Sequence, residues 1–87
     1  MLPVKKKWFD LIKSGYKNEE YRLYNDYWKK RLLGKEFDSV IITWGYPKKT
    51  DLDRRIEFPW NGYELRIITS EEWDFKHEKV FAIKLKI

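Results

Sequence analysis

The residues best suited to chemistry lie together in one short stretch, Gly15–Arg22. Within it, Lys17 and Arg22 are cations that can hold a phosphate or polarise a carbonyl group. Glu20 can accept a proton or hydrogen-bond the edge of a base. In a strand, residues two apart share a face, so Glu20 and Arg22 would lie side by side, with Lys17 in the turn before them. The spacing therefore predicts that three charged groups converge where a helix end meets a strand.

An ion pair of ordinary structural type is the alternative. Glu20 could pair with Lys17 or with Arg22 at a strand edge without any ligand. Exposed ion pairs contribute little stability, so folding alone does not readily explain why this strand carries these charges.

Two helices and a strand must position these residues. Apolar residues at helical spacing predict a helix from Lys6 to Ser14, which ends at Gly15. Asn18 to Tyr24 alternates between polar and apolar residues, which is typical of a short strand. Asn25 can cap a second helix that ends before Gly34.

The second half of the chain is predicted to be β-structure. Asn61-Gly62 is a two-residue hairpin signal. The predicted strands are Ser39–Trp44, Arg54–Trp60, Tyr63–Ile67 and Lys79–Ile87. Residues 1–87 are thus expected to form one α+β domain, in which a small, partly closed β-barrel of five or six strands hides its edges and two helices lie in the N-terminal half.

The composition excludes several kinds of chemistry. The chain has no cysteine and one histidine, His77, which removes disulfides, thiolate metal sites, a cysteine nucleophile and paired histidines. We expect no metal and no cofactor, which leaves lysine, arginine and carboxylates. The longest aliphatic run, Val40–Ile42, is far shorter than the ~20 residues of a membrane helix. Without the apolar stretch of a signal peptide at the N-terminus, the expected location is the cytoplasm and no membrane partner is expected.

Positive charge is concentrated near the N-terminus. The net charge is +5, and the first 35 residues carry ten Lys/Arg against four Asp/Glu. Sixteen residues are aromatic, five Trp, six Tyr and five Phe. Cations beside rings suit a partner with phosphates and bases, although a solvated, solubilising surface would have the same composition.

Three aromatic residues near predicted strand ends are candidates for contacts with bases. Trp44 and Tyr46 flank Gly45 at the end of one strand, and Trp60 lies at the predicted hairpin. Rings at such positions either stack on bases or fill the ends of the core. Because Trp60 shares a face with Ile56 and Phe58, a place in the core is favoured for it.

The chain resembles the ASCH domains of the PUA-like superfold, in particular their small phage and bacterial members. Their hallmark is a helix that ends in Gly-x-Lys-x-x-Glu-x-Arg. The segments that carry the resemblance here are Trp8–Ser14, the pattern at Gly15, Lys17, Glu20 and Arg22, the pair Tyr27-Trp28 and the strand Val80–Leu85.

The resemblance implies a β-barrel with helices beside it, a cleft next to the motif, and binding of RNA or modified nucleosides. Some ASCH domains are amidohydrolases that deacylate N4-acetylcytidine, and others have been linked to RNA cleavage. In the amidohydrolases the lysine is the activating base, which would be Lys17. Glu20 stands where they have a threonine nucleophile. Their downstream glutamate would correspond to Glu71 or Glu72.

Three functions follow from these observations. The leading prediction is an RNA- or nucleotide-binding domain, monomeric, whose ligand contacts are Lys17, Glu20, Arg22, Trp44, Tyr46 and Glu72. The alternative is an enzyme, either an amidohydrolase acting on an N-acylated cytidine nucleoside or an RNA-cleaving enzyme, with Lys17 and Glu20 as catalytic residues. The third is a protein-interaction module of phage origin.

Overall fold

The computed structural model of the chain describes residues 1–68 and 78–86. This part of the chain is an α+β fold with two α-helices and six strands, as predicted in class. The order of elements is β1 (Leu2–Val4), α1 (Lys6–Lys13), β2 (Glu19–Leu23), α2 (Asp26–Leu32), β3 (Ser39–Trp44), β4 (Arg55–Pro59), β5 (Tyr63–Ile67) and β6 (Lys79–Lys84), with a 3-10 turn at Leu52–Arg54.

The strands form two separate three-stranded sheets, in the orders β1-β3-β4 and β2-β6-β5. β1 runs parallel to β3, with Leu2 opposite Ile42, and the other pairs are antiparallel. The described strands therefore do not form a closed barrel, because no backbone ladder joins the two sheets.

The sequence of β1 explains why no backbone ladder joins it to β2. It is three residues long and has Pro3 at its centre, which has no N–H to offer to a neighbouring strand. The Pro3 carbonyl instead accepts a hydrogen bond from the Arg22 side chain of β2. This short strand was not predicted, because a proline between two apolar residues lacks the length and alternation of a strand signal.

Both predicted helices form, and their ends follow the local signals. α1 turns Phe9 and Ile12 into the core and is followed by Gly15 at φ +84°, the left-handed conformation expected after a helix. The predicted cap of α2 is confirmed, because the Asn25 side chain accepts a hydrogen bond of 3.0 Å from the Trp28 amide.

The predicted hairpin at Asn61-Gly62 is wrong. Gly62 has the positive φ of a turn, +79°, but β4 pairs with β3 and β5 pairs with β6. The turn is thus a corner from one sheet to the other. Residues of both strands nevertheless pack in one core, and Trp60 packs against Tyr63 at the corner.

The core lies between the two sheets and α1. Its largest fully enclosed side chains include Phe9, Ile42, Phe81 and Ile83. Four consecutive residues of β6, Val80–Ile83, are fully buried, and Leu85 directly after the strand is also buried. Ile87, the last residue of the predicted strand, lies outside the described residues.

No helix in residues 1–68 and 78–86 is both long enough and apolar enough to cross a membrane.

Candidate functional site

The three charged residues of the Gly-x-Lys-x-x-Glu-x-Arg stretch meet at the Glu20 carboxylate, as predicted. Oε1 of Glu20 accepts a hydrogen bond from Nζ of Lys17, and Oε2 accepts one from Nη2 of Arg22, both at 2.8 Å. Glu20 and Arg22 alternate on β2 and lie opposite Ile83 and Phe81 of β6, so both side chains point toward the core. We call these three residues the charged cluster.

Lys17 reaches the cluster because the chain reverses after α1. Its backbone N–H donates to the Leu11 carbonyl across the Gly15 turn at 3.0 Å. Its ammonium donates to the Glu19 carbonyl and lies 4.9 Å from the ring centre of Tyr21 and 5.8 Å from that of Trp8. The Lys17 side chain is 4% exposed, so this cation is enclosed by acceptors and rings.

Arg22 is the member of the cluster nearest to solvent, with 16% of its side chain exposed. Nη2 also donates to the Pro3 carbonyl at 2.9 Å, and the guanidinium carbon lies 5.1 Å from the ring centre of Trp28. Nε is buried and has no hydrogen-bond partner among the described residues. Nη1 likewise donates to none of them.

The cluster combines two cations and one anion whose side chains have little exposure to solvent. The Glu20 side chain is 9% exposed, and a buried charge that loses its partner is costly. A general base needs a lone pair directed at its substrate, whereas Nζ of Lys17 donates to two acceptors. Both Glu20 oxygens are also engaged. The geometry therefore suits holding Arg22 in place better than proton transfer.

Trp44 lies on β3, opposite the strand β1 that Arg22 contacts. Trp44 is opposite Val4 in the register of β1 and β3, one residue beyond the Pro3 carbonyl that Arg22 contacts. Its ring is half-buried, with the Arg54 guanidinium 4.3 Å and the Lys6 ammonium 5.4 Å from its centre.

The other predicted residues fall into different positions. Tyr46 is 83% exposed in the loop after β3. Trp60 is half-buried and packs edge-to-face against Phe37 at 5.0 Å, in keeping with a core position. Glu72, its alternative Glu71 and the histidine His77 lie outside the described residues.

A second charged network lies on the other face of β2-β6-β5, and sequence reasoning missed it. Arg66 donates to Glu19 and Glu64, and Lys84 lies 3.0 Å from Glu64. Hydrogen bonds from Arg66 and Lys84 lower the pKa of Glu64 to about 2. A depression of about 320 Å³ adjoins the network and is lined by Asn18, Glu19, Glu64, Arg66, Lys84 and Lys86.

Tyr21 connects this network to the charged cluster. Its hydroxyl donates to Glu19 at 3.2 Å, and its ring lies near the Lys17 ammonium. Burial raises the pKa of Tyr21, and the neighbouring Glu19 carboxylate raises it further. Glu19 and Tyr21 share one face of β2, and Glu64 and Arg66 share one face of β5, as their alternation in the sequence indicates. The network forms because both strands pair with β6, and this long-range pairing was not predictable from the local sequence.

Comparison of the chain with family models, with curated proteins and with solved structures finds no significant match.

Proposed function

We propose that the protein binds single-stranded RNA or a nucleotide, with Arg22 holding a phosphate where its side chain connects β2 to β1. The observation that carries the proposal is the fixation of Arg22. Its guanidinium is held by the Glu20 carboxylate, the Pro3 carbonyl and the ring of Trp28, while Nη1 donates to none of the described residues. A planar cation that is already oriented binds phosphate oxygens with little loss of side-chain freedom.

The charge around Arg22 also favours an anion. Among the described residues, two cations face one carboxylate in the charged cluster, an excess of one positive charge over the carboxylates of this part of the chain. The ten Lys/Arg of the first 35 residues extend this excess over the N-terminal part of the surface. A polyanion would be attracted to it in a salt-dependent manner.

Two rings near β1 can supply contacts to bases. Tyr46 is almost fully exposed, and Trp44 is half-buried with the cations of Arg54 and Lys6 near its ring. Stacking of a base on such a ring contributes about 1–3 kcal/mol and does not depend strongly on the identity of the base. The resemblance to ASCH domains of the PUA-like superfold supports the same class of ligand.

Binding is favoured over hydrolysis of an N-acylated cytidine. That reaction would need Lys17 as a base, and its ammonium donates to Glu20 and to the Glu19 carbonyl. Glu20 has no oxygen free of a cation. The cluster is therefore better suited to positioning Arg22 than to activating water.

Fluorescence anisotropy of a labelled single-stranded RNA of about 12 nucleotides tests the proposal. We expect binding at about 50 mM salt that weakens at about 200 mM. Arg22→Gln should reduce the affinity more than Lys86→Gln, which removes the same charge from an exposed residue on the other face. Circular dichroism checks that both variants are folded. Absence of binding at the lower salt concentration would reject the proposal.

A further inference from the structure

We propose that the bound strand continues from Arg22 across helix α2, where Tyr27 and Arg31 form a second nucleic-acid contact. The ligand is then a single strand of several nucleotides rather than a mononucleotide. This inference rests on the proposed function and identifies its class of ligand.

Tyr27 and Arg31 form a fixed pair on the surface of α2. Tyr27 is 54% exposed, and the guanidinium carbon of Arg31 lies 3.6 Å from its ring centre. Nη1 of Arg31 also donates to the Tyr27 carbonyl at 3.2 Å, since residues four apart are neighbours on a helix. The pair offers a ring and a planar cation to solvent, both of which stack on bases.

Contacts between neighbouring side chains connect this pair to the charged cluster. The guanidinium of Arg22 lies 5.1 Å from the ring of Trp28, and the rings of Trp28 and Tyr27 meet edge-to-face at 5.0 Å. The guanidinium of Arg31 in turn lies over the ring of Tyr27. The contacts thus run cation, ring, ring, cation from Arg22 to Arg31. The two cations suit phosphates, and the exposed ring of Tyr27 between them suits a base.

The cations in the last turn of α2 have no carboxylate partner in the part of the chain that the structure describes. Lys29, Lys30 and Arg31 are consecutive in its last turn, and within residues 1–68 and 78–86 none of them forms an ion pair. Lys29 and Lys79 both lie within 5 Å of the ring centre of Tyr24. The helix dipole favours cations at this end, but it does not account for an exposed tyrosine beneath one of them.

A nucleic acid fits this surface better than an acidic protein does. An acidic partner would be satisfied by the cations alone, whereas the exposed ring of Tyr27 and the guanidinium plane over it suit unpaired bases. A nucleic-acid partner and an acidic protein are distinguished by whether the affinity depends on the Tyr27 ring and on the length of the RNA strand.

The test compares a labelled dinucleotide with a labelled single-stranded RNA of about 12 nucleotides. Tyr27→Ala should weaken binding of the longer RNA by about 5- to 100-fold and leave the dinucleotide unaffected. Tyr27→Phe keeps the ring and should retain the affinity, which separates stacking from loss of folding. Tyr16→Ala, at another exposed tyrosine outside both contacts, is the matched control.

Two further results would overturn the inference while leaving the proposed function intact. One is that Tyr27→Ala and Tyr16→Ala bind the longer RNA equally well while Arg22→Gln binds it poorly. The other is that polyglutamate binds as tightly as the RNA with the same dependence on Tyr27, which would indicate an acidic protein partner. If the wild-type protein binds neither RNA, the proposed function fails and this inference fails with it.

Discussion

The side chain of Arg22 on β2 donates a hydrogen bond of 2.9 Å to the backbone carbonyl of Pro3 on β1. β1 and β2 belong to different sheets. A side-chain hydrogen bond therefore connects these two strands, whereas in a closed barrel a backbone ladder would connect them. The same guanidinium is anchored by Glu20, which Lys17 also contacts. The charged cluster therefore has a structural role, in linking the sheets, beside the ligand contact proposed for Arg22.

Removing the anion of the cluster should strongly destabilise the protein. Glu20→Gln removes the carboxylate charge that Lys17 and Arg22 share in a buried position, and we expect a loss of about 3–5 kcal/mol in the free energy of unfolding. Urea denaturation measures it. Asp10→Asn, which breaks the exposed pair with Lys6, is the control and should cost less than about 1 kcal/mol. Equal losses in both variants would contradict a structural role for the cluster.

Replacing Arg22 with lysine tests whether stability and RNA binding need the planar guanidinium or only a positive charge at this position. Arg22→Lys keeps the cation but loses the planar fork that contacts Glu20 and Pro3 together. We expect a lower free energy of unfolding, by about 1–3 kcal/mol, and weaker RNA binding with an unchanged salt dependence. Full affinity in Arg22→Lys would show that a point charge at this position is sufficient.

The acid dependence of stability should include a contribution from Glu64. Its pKa is lowered from 4.5 to about 2 by hydrogen bonds from Arg66 and Lys84. A lowered pKa in the folded state means that the stabilisation is fully present above pH 4.5 and is lost as the pH falls toward 2. The melting temperature of the wild-type protein should therefore exceed that of Glu64→Gln at pH 6, and the difference should shrink between pH 4.5 and 2. A constant difference over this range would be inconsistent with the pairing.

The turn before Lys17 should tolerate residues that adopt a positive φ. Gly15 has φ +84°, and a Cβ there would meet no atom within 4 Å. The cost of Gly15→Ala is therefore conformational, about 1–2 kcal/mol. Gly15→Asn should cost less, because asparagine enters this region more readily. Thermal unfolding of the two variants compares them, and a larger loss for asparagine would indicate that space limits this turn.

Local structure followed from short patterns in the sequence. The Asn25 cap, the glycine after α1 and the alternation of Glu20 and Arg22 are each determined within a few residues, and the structure has all three. The convergence of Lys17, Glu20 and Arg22 was predictable for the same reason, since one turn and one strand bring them together.

Pairing between distant segments was not predictable in this way. Asn61-Gly62 is a turn, but the strands that flank it do not pair with each other. β4 pairs instead with β3, and β5 pairs with β6. β1 has no signal of its own and is stabilised by pairing with β3 about 40 residues later. The network of Glu19, Arg66 and Glu64 likewise needs β6 between its strands.

The sequence by itself determined the two helices, most of the strands and the three residues of the charged cluster, because these depend on backbone preferences and on side-chain periodicity over a few residues. Only the tertiary structure decided that the sheets stay separate, that Lys17 and Glu20 are buried and that Arg22 reaches from β2 to the Pro3 carbonyl of β1. These properties depend on which segments, distant in the sequence, bury their apolar surfaces against one another, and no pattern within a few residues predicts that.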